Sequence, residues 1–318
     1  MKLRCWGTRG SIPVSLTAPD IRAKIVLALK GAGAVDLASP TAIAAYVDQL
    51  GFDVAGTFGG HSSCLQIETG GLEHIILDLG TGVRPLGHYM LAKYGPQSAQ
   101  TYHVFMSHLH WDHIMGLPFF TPVYVPGNRI VIHSCHPHVE FALRRQQAEP
   151  SFPVRFDQFA AHIEFDILIP GQVIEVDGTR VVAHAQRHAG DSYGWRFERA
   201  GKSLVYSTDS EHRLEDEDEW AGFVAFFDRA DVVVFDAMYS LADAISVKAD
   251  WGHSSNIVGV ELCQEAKVRK LLMFHHEPAY SDTQIARILD ETQRFEKITR
   301  VGHAVEVLSA WDGLELTL

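Results

Sequence analysis

Cysteine is scarce. The chain of 318 residues carries four, Cys5, Cys64, Cys135 and Cys263, which lie far apart and form no CxxC pair. They read as reduced thiols in the interior of a cytoplasmic protein. Long apolar runs are missing too: nothing approaches the roughly 18 consecutive apolar residues of a membrane helix, and the opening MKLRCWGTRGSIP has no apolar signal segment. The expectation is a protein that is neither membrane-embedded nor exported. Positive charge is in deficit, with 27 Lys and Arg against 39 Asp and Glu and a formal charge of −12. Such a molecule repels polyanions, so nucleic acid is not the expected partner. A small phosphorylated substrate held through cations stays open, because a bound cation inverts the local field.

The sequence does hold 18 histidines. β-type runs recur at Lys2 to Trp6, Cys64 to Glu68, His74 to Leu79, Thr101 to Ser107, Arg129 to His133, Arg180 to Ala185, Gly194 to Glu198, Ser203 to Ser207, Asp231 to Phe235, Lys270 to Phe274 and Ala304 to Leu308. Helical periodicity intervenes at Asp20 to Lys30, Pro40 to Leu50, Arg84 to Tyr94, Pro137 to Gln147, Glu215 to Arg229, Ser254 to Ala266 and Ser281 to Phe295. The mixture, without repeats or low-complexity linkers, predicts one α/β domain over residues 1–318 with central sheets and outer helices. Val14 to Val54, Ala-rich and helical in pattern, reads as an inserted hairpin or lid. The acidic run Glu215 to Glu219 is assigned to a helix start, where the dipole favours carboxylates.

Several apolar strands stop at a metal ligand or an acid: HIILD at Asp78, YHVFMSH at His108, SLVYSTD at Asp209, DVVVFD at Asp236 and KLLMFH at His275. His188 follows VVAHAQR in the same way. Ligands of open α/β sheets bind beyond the carboxyl ends of strands, so these residues are expected to converge on one cleft. The sharpest motif is His108-Leu109-His110-Trp111-Asp112-His113. In extended chain His108 and His110 point the same way, and a turn into helix at Asp112 re-aims Asp112 and His113. Two neighbouring metals can then be served from one loop. Imidazole and carboxylate suit zinc, iron or manganese, and the lack of cysteine among the ligands argues against a structural zinc knuckle. His133, His136 and His138 in HSCHPH are instead read as a solvated loop.

The HxHxDH pattern resembles that of the metallo-β-lactamase superfamily of binuclear metal hydrolases. The resemblance covers most of the chain outside Val14 to Val54 and implies a four-layer αββα sandwich (α/β, α+β) with an inserted helical segment. It also implies a ligand set: His108, His110 and His188 for one metal, Asp112, His113 and His275 for the second, and Asp209 bridging both. His275 is preferred to His276 because it directly follows its strand. Asp78 would support the ligands from behind. Two divalent ions are expected, zinc first, with Mn2+ or Fe2+ accommodated by the same donors.

Gly7-Thr8-Arg9-Gly10-Ser11-Ile12-Pro13 and Gly59-Gly60-His61-Ser62-Ser63-Cys64 resemble the opening of the branch that contains ribonuclease Z and phosphoribosyl cyclic phosphate phosphodiesterase, although that branch usually has asparagine at His61. Gly252-His253-Ser254-Ser255 resembles its GHS segment, and Asp236 falls where an acid orients that histidine. The resemblance implies a phosphodiesterase for a small cyclic or nucleotide diester, working through a metal-bridging hydroxide. Asp112 would help orient the nucleophile and the His253–Asp236 pair would act as general acid. The plainer reading of His253 is a helix-start residue capped by Ser254. His61 and His276 are expected to line the site, and Arg9 either contacts phosphate or faces solvent. Trp111, Phe119, Phe120, Tyr193, Trp195 and Trp251 adjoin these motifs, as base-stacking groups or as core. The same centre can hydrolyse a lactone, ester or thioester, or process RNA recognised through a partner or through a surface patch that the sequence does not reveal. A homodimer is common among relatives.

Overall fold

The computed structural model describes residues 1–212, 216–239 and 253–318. Trp251, Gly252 and Glu215, singled out above, lie outside them. Two seven-stranded sheets form the centre. The first is ordered β14 (Glu315–Thr317), β1 (Lys2–Gly7), β2 (Cys64–Glu68), β3 (His74–Leu77), β4 (Thr101–Phe105), β5 (Arg129–Ser134), β6 (His162–Ile167). The second is ordered β13 (Glu306–Ser309), β12 (Lys270–Phe274), β11 (Val232–Asp236), β10 (Lys202–Ser207), β9 (Ser192–Arg199), β8 (Thr179–Gln186), β7 (Val173–Val176). Parallel pairing joins β3 through β6 and β10 through β13, and antiparallel pairing completes both sheets.

Side-chain alternation makes the layers. In β10, Leu204 and Tyr206 pack between the sheets, while Val205 turns outward to α7 (Glu217–Phe227), α8 (Asn256–Glu265) and α9 (Asp282–Thr299). In β4, Phe105 packs inward and Val104 faces outward to α4 (Val83–Tyr94) and α6 (Val139–Gln146). Each fully buried large apolar side chain stabilises by about 1.5–3 kcal/mol, so these three clusters dominate over surface ion pairs worth about 0–1 kcal/mol each. The result is the expected αββα sandwich. The sequence reading missed β6, β7 and β14. Each lies at or next to a sheet edge and is only partly buried, so its apolar alternation is weak.

Between β1 and β2 lie α1 (Ala18–Gly31), a 3-10 turn (Ala32–Ala34), α2 (Pro40–Val47) and α3 (Phe52–Ala55), so the insert is helical as expected but holds three α-helices. Thr17 and Asp20 cap α1 in a capping box, and Ser39 caps α2. Neither α1 nor α2 buries a residue. Lys24 ties α1 to the body through Asp282 Oδ2 at 2.7 Å and the Gly56 carbonyl at 2.8 Å. At α7, Asp216 caps the helix by accepting from the Glu219 N–H, and Glu217 to Glu219 occupy the first turn, as the dipole reading requires. All four cysteines are buried and free, and burial raises each thiol's pKa. No described helix is long and apolar enough to cross a membrane.

Candidate metal centre

Three of the strand-end residues share an unusual backbone. Asp78 directly follows β3, His275 directly follows β12, and Asp209 lies two residues past β10; all three have positive φ, +58°, +59° and +49°. Left-handed backbone is uncommon for non-glycine residues, though Asp, Asn and His tolerate it best. At the end of a strand it breaks the extended conformation and turns the chain away from the strand direction. Such strain concentrates at functional sites.

Four donor atoms meet there: His113 Nε2, His275 Nε2, Asp112 Oδ2 and Asp209 Oδ2. Asp112 and His113 reach it from α5 (Trp111–Ile114). Asp209 Oδ2 is 3.2 Å from His113 Nε2 and 3.3 Å from His275 Nε2. Asp112 Oδ2 is 3.3 Å and 3.2 Å from the same two nitrogens, which are 3.4 Å apart. Ligands about 2.0–2.2 Å from a tetrahedral ion stand about 3.3–3.6 Å from one another, so these separations suit one cation.

A second group joins His108, His110 and His188, with His188 Nε2 3.1 Å from His110 Nδ1. The other oxygen of Asp209, Oδ1, faces it at 3.7 Å from His108 Nε2 and 3.8 Å from His188 Nε2. His108 Nε2 is buried without a hydrogen-bond partner among the described residues, a cost a cation would relieve. The donor set is imidazole and carboxylate throughout, and it fits divalent ions.

Charge balance inside the cluster supports the same use. Burial, then the neighbouring His113, pushes His108 well below its ordinary pKa, so its ring is neutral, the form that binds metal. Burial works against the charge on Asp209, yet His275, His113 and His108 hold the carboxyl well below its usual range. Burial also opposes a proton on His113, but Asp112, Asp209 and Asp78 outweigh it and raise that ring.

Asp78 is fully buried and organises the ligands. Its Oδ1 accepts from the Ser107 N–H, and its Oδ2 from Ser107 Oγ and Tyr206 OH, each at 2.7 Å. Oδ2 also lies 2.8 Å from His113 Nδ1, which leaves Nε2 for the centre. Two glycines permit close approach: a Cβ on Gly10 would sit 2.4 Å from His275 Nδ1, and one on Gly80 would sit 2.4 Å from the Asp112 carbonyl oxygen.

His253 and Asp236 pair at 2.7 Å through Nδ1 and Oδ2, and the same Nδ1 is 3.9 Å from Asp209 Oδ1. Burial lowers the basicity of His253, but Asp236, then Asp209 and Asp112, lift it to about 9. With Nδ1 engaged, Nε2 is the nitrogen left for chemistry. Ser255, not Ser254, caps the following helix by accepting from the Val258 N–H, while Ser254 Oγ donates to the Ser210 carbonyl. The cleft over the centre, about 480 Å³, is lined by His110, Trp111, Asp112, His188, Asp209 and His253, with Ser11 at its edge.

Other expected site residues fall elsewhere. Arg9 is 2% exposed and is neither solvent-facing nor aimed at the centre: it donates to the carbonyls of Gly59, Glu277 and Tyr280 and lies 3.8 Å from Asp282. A guanidinium so surrounded braces the loops behind the site. His276 Nε2 donates to the Ala310 carbonyl at 2.9 Å, so His275 alone of the pair joins the cluster. His61 lines a neighbouring cavity with Arg9 and Asp312. Of the HSCHPH histidines only His138 is exposed as expected; His133 and His136 are buried, and His133 bridges Asp166 and His103 at 2.8 and 2.9 Å. A hydrogen-bond partner on each adjacent strand makes that burial tolerable. Among the aromatics, Phe120 and Trp195 are core, whereas Trp111 is 76% exposed.

Sequence reasoning missed Thr208, whose hydroxyl donates to Asp209 Oδ2, and Asp312, which accepts from the N–H groups of Gly60 and His61. Ser107 and Tyr206 were missed as well. Both precede strand-end ligands in sequence, a signal that was there; Asp312 had none.

Fold and donor set together define a metal-dependent hydrolase. The chain belongs to the beta-lactamase superfamily, whose domain model matches residues 75–276. It is 22% identical over 241 residues to ribonuclease Z of Oceanobacillus iheyensis, covering 60% of this chain and 76% of that protein. Its fold is similar to that of the metallo-beta-lactamase fold protein YhfI from Bacillus subtilis, with a TM-score of 0.64, 16% identity and coverage of 99% of this chain and 98% of that one. A diphosphatase from the PhnP family superposes with a TM-score of 0.58 and 17% identity, covering 100% of this chain and 97% of the other. The ribonuclease Z relative agrees with the branch that the Gly-rich and GHS segments resemble.

Proposed function

We propose that the protein is a phosphodiesterase that cleaves a small cyclic or nucleotide phosphodiester. One observation carries this reading: the His253–Asp236 pair, 2.7 Å apart, borders the cleft beside Asp209. A departing alkoxide needs a proton, and a carboxylate-backed imidazole supplies one. His108, His110, His188 and Asp209 Oδ1 would hold one divalent cation, and Asp112, His113, His275 and Asp209 Oδ2 a second. When bound, the cations supply Lewis acidity to the phosphoryl oxygens and bring the pKa of water towards 7.

The chain's own groups do the rest. Asp112 accepts a hydrogen bond from the attacking water and orients it. His253 donates its Nε2 proton to the leaving oxygen as the P–O bond breaks, and Asp236 stabilises the imidazolium beforehand. Asp78, through His113, keeps one ligand ring in the binding tautomer.

The test is a substrate panel on metal-loaded protein: 2′,3′-cyclic nucleotides and bis(p-nitrophenyl) phosphate against lactones and thioesters. Cyclic-nucleotide cleavage that falls about 10²–10⁴-fold in His253→Ala is expected; turnover of carboxylic substrates alone overturns the proposal. A second reading, RNA processing, is favoured by the curated relative named ribonuclease Z. It requires cleavage of structured RNA with a steep loss of activity at rising salt. The −12 charge supports the small substrate instead.

A further inference from the structure

A second cavity, about 630 Å³, opens beside the metal cleft and shares two lining residues with it, Leu109 and Trp111. Its size suits a small-molecule pocket, which typically measures about 300–1,000 Å³. Its walls are aromatic: Trp111, Phe119, Phe141 and Phe152 line it, with Arg145 among them. Trp111, Phe119 and Phe141 are 76%, 50% and 63% exposed, and the rings of Phe119 and Phe152 meet edge to face at 5.7 Å. Three half-exposed or more exposed aromatic rings in one concavity are unusual on a surface that gains nothing from them.

The Arg145 guanidinium makes no hydrogen bond or ion pair among the described residues, whereas that of its neighbour Arg144 is bonded to Glu140. On a chain with a charge of −12, an unengaged guanidinium beside aromatic faces favours a planar ring bearing acceptor groups. Trp111 stands between His110 and Asp112 in the ligand motif, so a group stacked on it lies one residue from the reacting centre.

We infer that this cavity is the nucleobase subsite: the base of a nucleotide diester stacks on Trp111 against Phe119 and Phe141, with its acceptors towards Arg145, while its phosphodiester enters the metal cleft. The inference rests on the phosphodiesterase reading and sharpens it from diesters in general to base-bearing ones. It assigns Trp111 a positioning role for substrate and leaves the proton and metal chemistry to the residues named above.

The experiment compares metal-loaded wild type, Trp111→Leu, Phe141→Ala and Arg145→Gln in two assays. The first measures kcat/KM for 2′,3′-cyclic AMP relative to glycerol 1,2-cyclic phosphate, which has no base. The second measures by calorimetry the Kd of AMP relative to ribose 5-phosphate. Base stacking on an aromatic side chain corresponds to roughly tenfold per base, so wild type is expected to favour the base-bearing member of each pair by about that factor or more. Each variant is expected to narrow the ratio, Trp111→Leu most. Because Trp111 adjoins two ligands, its metal content is measured alongside; Phe141, on α6 and outside the ligand loop, gives an independent reading. A wild type without base preference, or ratios unmoved in all three variants, overturns the subsite. AMP preference that the variants narrow, in a protein that cleaves neither diester, keeps the subsite and overturns the phosphodiesterase reading.

Discussion

Asp78 Oδ2 lies 2.8 Å from His113 Nδ1, and neither side chain has any exposure to solvent. The pairing fixes which nitrogen of His113 faces the centre, so a defect in Asp78 is felt at a metal it does not touch. Asp78→Asn keeps the volume and loses the charge that sets the tautomer. Metal affinity or activity should fall about 10–100-fold. Titration of the metal-free protein with zinc checks this; unchanged affinity and unchanged turnover would show Asp78 to be purely structural.

Asp209 offers one oxygen to each histidine set, so it couples their occupancy. Elemental analysis of Asp209→Ala should show both equivalents of metal diminished, whereas His110→Ala should deplete mainly one. Equal loss in the two variants speaks against a shared carboxylate.

In the proposed mechanism, His253 supplies a proton only where the leaving group needs one. His253→Ala should therefore slow the cleavage of a 2′,3′-cyclic nucleotide far more than that of bis(p-nitrophenyl) phosphate, whose nitrophenolate departs without help. An equal loss on both substrates would falsify the general-acid role and leave His253 a binding group.

Gly10 lies against His275. A methyl group there would come within 2.4 Å of Nδ1, too close for any real Cβ contact, and the ring must move. Gly10→Ala should weaken metal binding with a smaller effect on the melting temperature of the metal-free protein. A variant with wild-type metal affinity shows that the ring has another place to go.

His212 predicts an acid limit to stability. Burial holds its pKa down at about 3, against about 6.5 in an unfolded chain. The unfolded chain therefore binds the additional proton across that window, and stability present above about pH 6.5 drains away as the pH falls towards 3. The ring packs on Phe223 and Phe235, which makes a non-titrating replacement feasible. Thermal melts of the metal-free protein from pH 7 to 4 should show a shallower decline for His212→Gln than for wild type.

Much of this was legible because both functions of a strand end are local. An apolar run that stops at Asp or His, as at Asp78, Asp209 and His275, records the burial of a strand and the donor beyond it in one stretch of sequence. The edges were less legible, since β6 and β7 bury too little to impose a period. Arg9 misled for a long-range reason: its carbonyl partners Glu277 and Tyr280 lie more than 260 positions away. His133 misled likewise, its partners being on neighbouring strands.

The left-handed backbone at Asp78, Asp209 and His275 has a consequence for how this centre could change over time. A residue at any of these positions must pass two filters at once, coordinating or orienting chemistry and tolerance of positive φ. Glutamate and cysteine, good ligands elsewhere, have no special ease in that conformation; aspartate, asparagine and histidine do. The alphabet available to drift at these three corners is thus very short. A new substrate is therefore easier to acquire through the cavity walls around Trp111 and Phe141, which carry no such backbone constraint, than through the ligand set itself.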